Sequence, residues 1–179
     1  MNMALRPMQA HEFPQVYRLM EQAFPAPEYR CFSDAERLLT HPAYEILVLD
    51  AQDGILGFIA HWKLDGFCFI EHFAVGPLSR GKGHGGAILR QYLRQCPGPV
   101  ILEVEAPTTS IAKRRIAFYQ RTGFTLSSVG YDQPPLQAGN EHIPLLLMHH
   151  PSAVSAELLQ RAQREIFRCV YGALGAPRR

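Results

Sequence analysis

Periodic apolar positions in the first forty residues predict one short strand and two helices. Leu5–Met8 has the character of a strand, and apolar residues recur at helical spacing across Gln9–Ala23 before two prolines interrupt the pattern. A second, shorter helix is predicted over Ser33–Leu39. Ser33 and Glu36 have the spacing of a capping box, in which the serine hydroxyl bonds an otherwise unpaired N–H at the helix start.

The middle of the chain predicts an antiparallel meander of three strands. Apolar, β-branched and aromatic residues dominate three segments, and turn signals containing Asp-Gly separate them. These segments are Tyr44–Leu49, Ile55–Lys63 and Phe67–Val75.

Alternating helical and strand patterns continue after a glycine-rich loop. They predict an amphipathic helix over residues 84–96, a strand at Val100–Val104, a helix at Ser110–Arg121 and strands at Phe124–Val129 and Pro144–His149. The strand, helix and strand between residues 67 and 104 form a crossover, which makes that pair of strands parallel. We therefore predict an α/β (α+β) domain over residues 1–150, with a single mixed, mainly antiparallel sheet and helices on both faces.

The C-terminal segment, residues 151–179, forms a separate feature. Apolar residues make one helical stripe across residues 152–172. We expect this helical extension to pack on its own domain or in a homodimer interface. A membrane-surface helix is less favoured, because glutamates and arginines are mixed on its polar face.

Composition and charge narrow the classes of function. The chain has 179 residues, 47% of them hydrophobic, which suits a globular domain with a sizeable core. Its net charge of +2, without a block of like charge, argues against nucleic-acid and membrane partners. The four cysteines are far apart and the histidines lack metal-ligand spacing, so we predict reduced thiols, no metal and a cytoplasmic protein.

Four glycines and two cations lie around the start of the helix at residues 84–96, with Gly81 and Gly83 before it and Gly85 and Gly86 in its first turn. A mononucleotide-binding loop is excluded, because Lys82 is followed by Gly83 and not by the Ser or Thr that would hold magnesium. The dinucleotide pattern G-x-G-x-x-G is present at Gly81, Gly83 and Gly86, but five residues separate it from the preceding strand and a meander comes before it. The loop is better explained as an anion-binding helix start for a pyrophosphate.

Two motifs in this order carry a resemblance to a known family. Arg80-x-x-Gly83-x-Gly85 is similar to the pyrophosphate loop of the GCN5-related N-acetyltransferase (GNAT) family, and residues 114–124, which contain Tyr119 followed by Gly-Phe, resemble the family's later helix. The resemblance extends over about residues 3–149. One departure is Ala112, at a position where many members carry Asn.

The resemblance implies acetyl-coenzyme A as the co-substrate. The strand before the loop is splayed by a bulge in the family, and its backbone amides, here those of Phe73, Ala74 and Val75, would hold the pantetheine arm and the thioester. The pyrophosphate would lie on the loop and helix start, formed by Arg80, Gly81, Lys82, Gly83, His84, Gly85 and Gly86. Tyr119 matches the tyrosine that faces the sulfur and can protonate it.

The proton acceptor is harder to assign. Strict alternation puts Glu71 and His72 on opposite faces of a buried strand, and burial would raise the pKa of Glu71, which also matches a base position of some family members. A Glu71 paired with an arginine is the alternative, and His72 is predicted to be structural. On the next strand, Glu103 and Glu105 share a face and could bind a cationic acceptor or assist its deprotonation through water.

Further acceptor-side residues are expected on the early helices and a proline-containing loop. The candidates are Tyr29, Tyr131 and Gln133. The sequence thus predicts an acetyl-coenzyme A-dependent N-acetyltransferase acting on a primary amine of a small molecule or peptide by direct attack. The alternative is a non-catalytic acyl-coenzyme A binding or sensor domain.

Overall fold

A computed structural model of the protein describes residues 4–51, 54–77 and 81–172. Its strands are β1 (Leu5–Pro7), β2 (Tyr44–Ala51), β3 (Gly54–Leu64), β4 (Phe67–Val75), β5 (Val100–Glu105), β6 (Thr125–Gln133) and β7 (Ile143–His150). Its α-helices are α1 (Phe13–Ala23), α2 (Phe32–Leu38), α3 (His84–Gln95), α4 (Ser110–Arg121) and α5 (Ala156–Glu165). A π-helical turn at Ile166–Tyr171 continues α5.

The strands form one sheet in the order β1-β2-β3-β4-β5-β7-β6. The pair β4 and β5 is parallel, and the other neighbouring pairs are antiparallel. The predicted single mixed, mainly antiparallel sheet is therefore confirmed, together with the crossover through α3 that makes one pair parallel.

Each face of the sheet is covered by its own apolar cluster. The first cluster joins α1, α2 and the C-terminal helix to the sheet, and the second joins α3 and α4 to the opposite face. Because Leu159, Ala162, Ile166 and Val170 are all buried in the first cluster, the C-terminal stripe packs on the chain's own sheet. No helix within the described ranges is both long and apolar enough to cross a membrane.

A bulge in β4 changes the direction of its side chains. His72 pairs with Ala60 and Ile70 pairs with His61, so Glu71 has no opposite residue on β3. The extra residue breaks the alternation of the strand. Glu71 and His72 consequently both face the side of α1, and the prediction that they point to opposite faces is wrong.

Two local predictions also differ from the structure. Helix α2 begins at Phe32 with Cys31 as its N-cap and has no side-chain capping bond, so the capping box at Ser33 is not formed. Strand β6 extends to Gln133 because its last residues pair with β7, as in Tyr131 with Leu145. Tyr131 and Gln133 therefore lie in a strand and not in the predicted loop.

Candidate active site

The parallel strands β4 and β5 separate in the middle of the sheet. Their pairing ends at Ile70 with Leu102, whereas β4 continues along β3 as far as Val75 and β5 continues along β7 as far as Glu105. Beyond Ile70 and Leu102, no described residue of β4 is paired with a described residue of β5. We call this opening, between residues 71–75 and residues 103–105, the fork.

A cavity of about 260 Å³ occupies the fork and connects the two faces of the sheet. Its lining comes from β4, β5, β6, β7, α4 and the end of α1 with the segment after it, and it includes Glu28, Glu71, His72, Phe73, Ala74, Val75, Glu103, Glu105, Arg115, Tyr119 and Gln133. Tyr119 packs in the α3 and α4 cluster, while Glu103 alternates with residues of that cluster and so points to the opposite face. A ligand in the fork can thus contact groups from both faces.

The glycine loop leads into α3 beside this opening. Gly83 is the N-cap of α3 and has φ of +80°, in the left-handed region that favours glycine. A Cβ at Gly83 would meet no described atom within 4 Å, so no described side chain crowds the backbone at this helix start, whose first N–H groups have no partner within the helix. The predicted residues Gly81, Lys82, His84, Gly85 and Gly86 lie here, and Arg80 lies outside the described residues.

This helix start fits a pyrophosphate group. Unpaired N–H groups and the positive end of a helix dipole attract an anion, and the empty space above Gly83 allows close backbone approach. Gly85 lies within van der Waals distance of Phe118 and Val75, since a Cβ there would stand 3.5 Å and 3.6 Å from their side chains. The loop is thereby adjacent to Val75 at the open end of β4.

Tyr119 is the titratable residue on the α4 side of the fork. Its side chain is buried, with 9% of the residue exposed, and stacks edge-on against Phe118 and Phe124. Burial raises its pKa to about 12, while Arg115 acts in the opposite direction. At neutral pH its hydroxyl keeps its proton and can donate it.

Glu71 is held in a buried ion pair. Its carboxylate accepts hydrogen bonds from Arg30 and, at 2.7 Å, from the Trp62 Nε1. Burial acts to raise the pKa of Glu71, but the charge of Arg30 and these hydrogen bonds outweigh it and leave the pKa below its usual value. The expected rise in the Glu71 pKa is therefore wrong, and the alternative of pairing with an arginine is what the structure shows.

The pKa of Glu103 is raised, whereas that of Glu71 is lowered. Its carboxyl group accepts hydrogen bonds from the Tyr131 hydroxyl and, at 2.6 Å, from the Tyr171 hydroxyl. Burial raises its pKa to about 8; the Tyr171 hydrogen bond and Arg30 lower it, and the charge of Glu71 raises it. A carboxyl group with a pKa near neutral pH can accept and release a proton under cellular conditions.

The acceptor side of the cavity is acidic. Besides Glu103 it contains Glu28, whose pKa is raised by burial and by Glu105 against the effect of Arg115. Glu105 lies 3.4 Å from Arg115 and is partly exposed. Among the described residues that line the cavity, the carboxyl groups of Glu28, Glu103 and Glu105 thus face one arginine, which favours an amine ligand over an anionic one.

Most but not all predicted acceptor-side residues come together. Gln133 lines the cavity and Tyr131 reaches it through Glu103, whereas Tyr29 packs edge-on against Tyr17 and is not part of the lining. Sequence reasoning missed Tyr171, which comes from the C-terminal π-helical turn. The sequence indicated Tyr171 only as one of the residues in the C-terminal apolar stripe.

A mixed sheet that splits between two parallel strands, with a glycine-rich helix start beside the split and a tyrosine over it, defines a coenzyme A-dependent acetyltransferase. The model of the Acetyltransferase (GNAT) family matches residues 13–124, and the chain belongs to this family. Acetyl-coenzyme A is its co-substrate and acetyl transfer its general activity. No curated protein sequence matches the chain.

Solved structures show the same architecture. A GNAT-family protein from Bacteroides thetaiotaomicron is 31% identical, with a TM-score of 0.87 over 94% of this chain and 98% of that one. The ribosomal-protein-S18-alanine N-acetyltransferase of Escherichia coli is 18% identical, with a TM-score of 0.63 over 86% of this chain and 96% of that one. A Bacillus subtilis acetyltransferase in complex with CoA is 15% identical, with a TM-score of 0.62 over 83% of this chain and 97% of that one.

Proposed function

We propose that the protein transfers the acetyl group of acetyl-coenzyme A to a primary amine by direct attack. The observation that carries this proposal is the fork, where a proton donor and a proton acceptor line one cavity from opposite faces of the sheet. An amine acceptor is supported by the carboxyl groups on its side.

Acetyl-coenzyme A, when bound, supplies an activated thioester. The helix start at Gly83 would hold its pyrophosphate, and backbone groups of β4 around Phe73 and Ala74 would bond the pantetheine arm or the thioester oxygen. These fixed donors need no rearrangement as charge develops, which is how backbone N–H groups accelerate acyl transfer.

Glu103 is the proposed proton acceptor in place of Glu71. An amine must lose a proton as its nitrogen forms the new C–N bond, and the Glu103 carboxylate can take that proton directly or through a water molecule. Each carboxylate oxygen has two lone pairs, and Tyr131 and Tyr171 bond to different oxygens, so each oxygen keeps one lone pair for a further donor. Glu71 is unsuited, because its ion pair with Arg30 keeps it a weak base.

Tyr119 is the proposed proton donor. As the C–S bond breaks, the departing sulfur accepts a proton from the Tyr119 hydroxyl. The high pKa of this tyrosine keeps its proton in place until a basic thiolate forms.

Product analysis with a panel of amines tests this function. Because the chain has four free cysteines, acetylated product is best quantified by mass spectrometry and not with thiol reagents. We expect turnover with at least one amine, and a drop in kcat of roughly 100-fold or more for Tyr119→Phe and for Glu103→Gln with acetyl-coenzyme A affinity retained. Binding of acetyl-coenzyme A without turnover of any amine would favour the sensor, and binding of NADH by the same loop would favour an oxidoreductase.

A further inference from the structure

Two buried polar groups in the cavity lack a partner within the described part of the protein. They are the side-chain amide nitrogen of Gln133 and the Nδ1 atom of His72. Both residues are 5% exposed, and both line the cavity. An unpaired buried polar atom is costly and uncommon, so two of them around one cavity indicate a ligand that bonds to both.

Gln133 presents a hydrogen-bond donor. It follows Tyr131 by two residues on β6, so the two side chains share a face of the sheet, and Tyr131 reaches Glu103 from that face. Its amide nitrogen carries two N–H donors and no acceptor. The atom that satisfies it must therefore be an acceptor, such as an oxygen of the ligand.

His72 presents an acceptor. Its Nε2 lies 2.8 Å from the Glu28 carbonyl oxygen, which can only accept, so the ring proton resides on Nε2. Burial lowers the pKa of His72, with the charge of Glu71 and the bond to Glu28 acting against it, and the ring is neutral at pH 7. Nδ1 is thus a bare lone pair, which a ligand N–H group would satisfy.

The charge of the cavity decides what kind of oxygen fits. Glu28, Glu103 and Glu105 surround the acceptor side, and Arg115 is already engaged by Glu105. A free carboxylate on the ligand would find no uncommitted arginine among the described residues here, because Arg30 is paired with Glu71 and Arg115 with Glu105, and burying its charge would be costly, whereas an amide or hydroxyl oxygen carries no charge to desolvate. The acceptor oxygen is therefore uncharged.

We infer that the acceptor is a small primary amine carrying a neutral oxygen a few bonds from its nitrogen, with the oxygen bonded to Gln133 and an N–H group bonded to His72. This inference rests on the proposed function and specifies its substrate class. An amino-acid amide, a peptide amino terminus and an amino alcohol have this chemistry, whereas an alkyl polyamine and a free amino acid do not.

A matched pair of acceptors tests the role of Gln133. Alaninamide and 3-methylbutan-2-amine have nearly the same shape, but only alaninamide has an oxygen. We expect the native protein to prefer alaninamide in kcat/KM, and we expect Gln133→Leu to reduce that preference about tenfold, the value of one buried hydrogen bond. Comparing the ratio between the two proteins cancels the different basicities of the two amines.

The remaining arms distinguish the sources of the oxygen. A higher kcat/KM for 2-aminopropan-1-ol would identify a hydroxyl oxygen, and a higher kcat/KM for alaninamide would identify an amide oxygen. Either result supports an amine with a neutral oxygen as the acceptor, whereas alanine and propane-1,3-diamine should be poor acceptors. Gln160→Leu, at an exposed position of α5, is the matched control and should leave the ratio unchanged. Acetyl-coenzyme A affinity and thermal melting check that Gln133→Leu is folded.

The outcomes distinguish a failure of the proposed function from a failure of the inferred acceptor class. If no amine is acetylated, the proposed function fails. If amines are acetylated but the native protein uses 3-methylbutan-2-amine as well as alaninamide, or Gln133→Leu keeps the native preference, then the acceptor site at Gln133 is refuted while the acetyltransferase stands. Equal use of the two amines by the native protein would refute the site even if the Gln133 variant does not fold, because the lower basicity of alaninamide already favours it as an acceptor.

Discussion

Removing the hydroxyl group of Tyr171, in the C-terminal π-helical turn, should shift the pH dependence of kcat. The Tyr171 hydroxyl donates a 2.6 Å hydrogen bond to Glu103, and this bond lowers the Glu103 pKa from the higher value that burial alone would give. Tyr171→Phe removes the bond and keeps the ring. Because the bond favours the charged carboxylate, its loss must raise the pKa of Glu103 above about 8.

The size of the effect follows from the strength of such a bond. A hydrogen bond to a charged group contributes about 1.5–3 kcal/mol and one pH unit corresponds to about 1.4 kcal/mol, so the ascending limb of kcat against pH should move upward by about one to two units. Glu71 and Arg30 also act on Glu103, with opposite signs, and neither is changed by the substitution. The ratio of native to variant kcat should therefore be largest near pH 7 and should shrink as the pH rises toward 10.

Steady-state kinetics over pH 6 to 10, with one acceptor for all proteins, measure this shift. Using one acceptor holds the basicity of the amine constant. Tyr119→Phe serves as the comparison, since it should lower the maximal rate and leave the ascending limb in place. An unchanged ascending limb in Tyr171→Phe would refute both the role of Glu103 as base and the contribution of the C-terminal turn.

Three further substitutions test other parts of the structure. Gly83→Val should abolish acetyl-coenzyme A binding measured by calorimetry, whereas the control Gly139→Val should retain it, because Gly139 has a similar positive φ and a Cβ there would also meet no described atom within 4 Å. Equal affinities of the two variants would refute the pyrophosphate site. Glu71→Gln should reduce the free energy of unfolding by about 3–5 kcal/mol, because it leaves Arg30 buried without its counter-charge. A change below about 1 kcal/mol in urea titrations would show that the pair is not buried. The Glu103 pKa is higher in the folded than in the unfolded protein, so the native protein loses stability as the pH rises from about 4.5 to about 8. Glu103→Gln should therefore gain free energy of unfolding relative to the native protein over that range, and a parallel pH dependence of the two proteins would contradict the raised pKa.

The sequence predicted the sheet and the cofactor loop well for physical reasons. Strand and helix patterns depend on neighbouring residues, so β4 and α4 were predicted with the bounds that the structure has. The glycines around Gly83 are also a local signal, because a left-handed backbone and close ligand approach both demand that residue type. Features set by short segments of chain are therefore accessible without coordinates.

The acid and base chemistry was less accessible because it depends on distant contacts. One bulge residue reversed the expected direction of His72, and a bulge leaves no dependable mark in a buried apolar strand. Glu71 and Glu103 are both buried glutamates on neighbouring strands, yet Arg30 lowers the pKa of one and two tyrosines surround the other. These partners lie 28 to 68 residues away in the chain, so pattern reasoning could not rank the two carboxyl groups.

The fork explains how one cavity can hold an acid and a base without mutual neutralisation. Tyr119 approaches from the α3 and α4 face, and Glu103 approaches from the face covered by α1 and the C-terminal helix. If both lay on one face, a direct hydrogen bond between them would satisfy the carboxylate and compete with the substrate. Separation by the sheet leaves each free to act on a different atom, the sulfur from one side and the amine from the other. With Glu103 as the proposed base, the C-terminal turn would have a chemical role in addition to its packing, because the Tyr171 hydroxyl donates a hydrogen bond to Glu103 from the acceptor face.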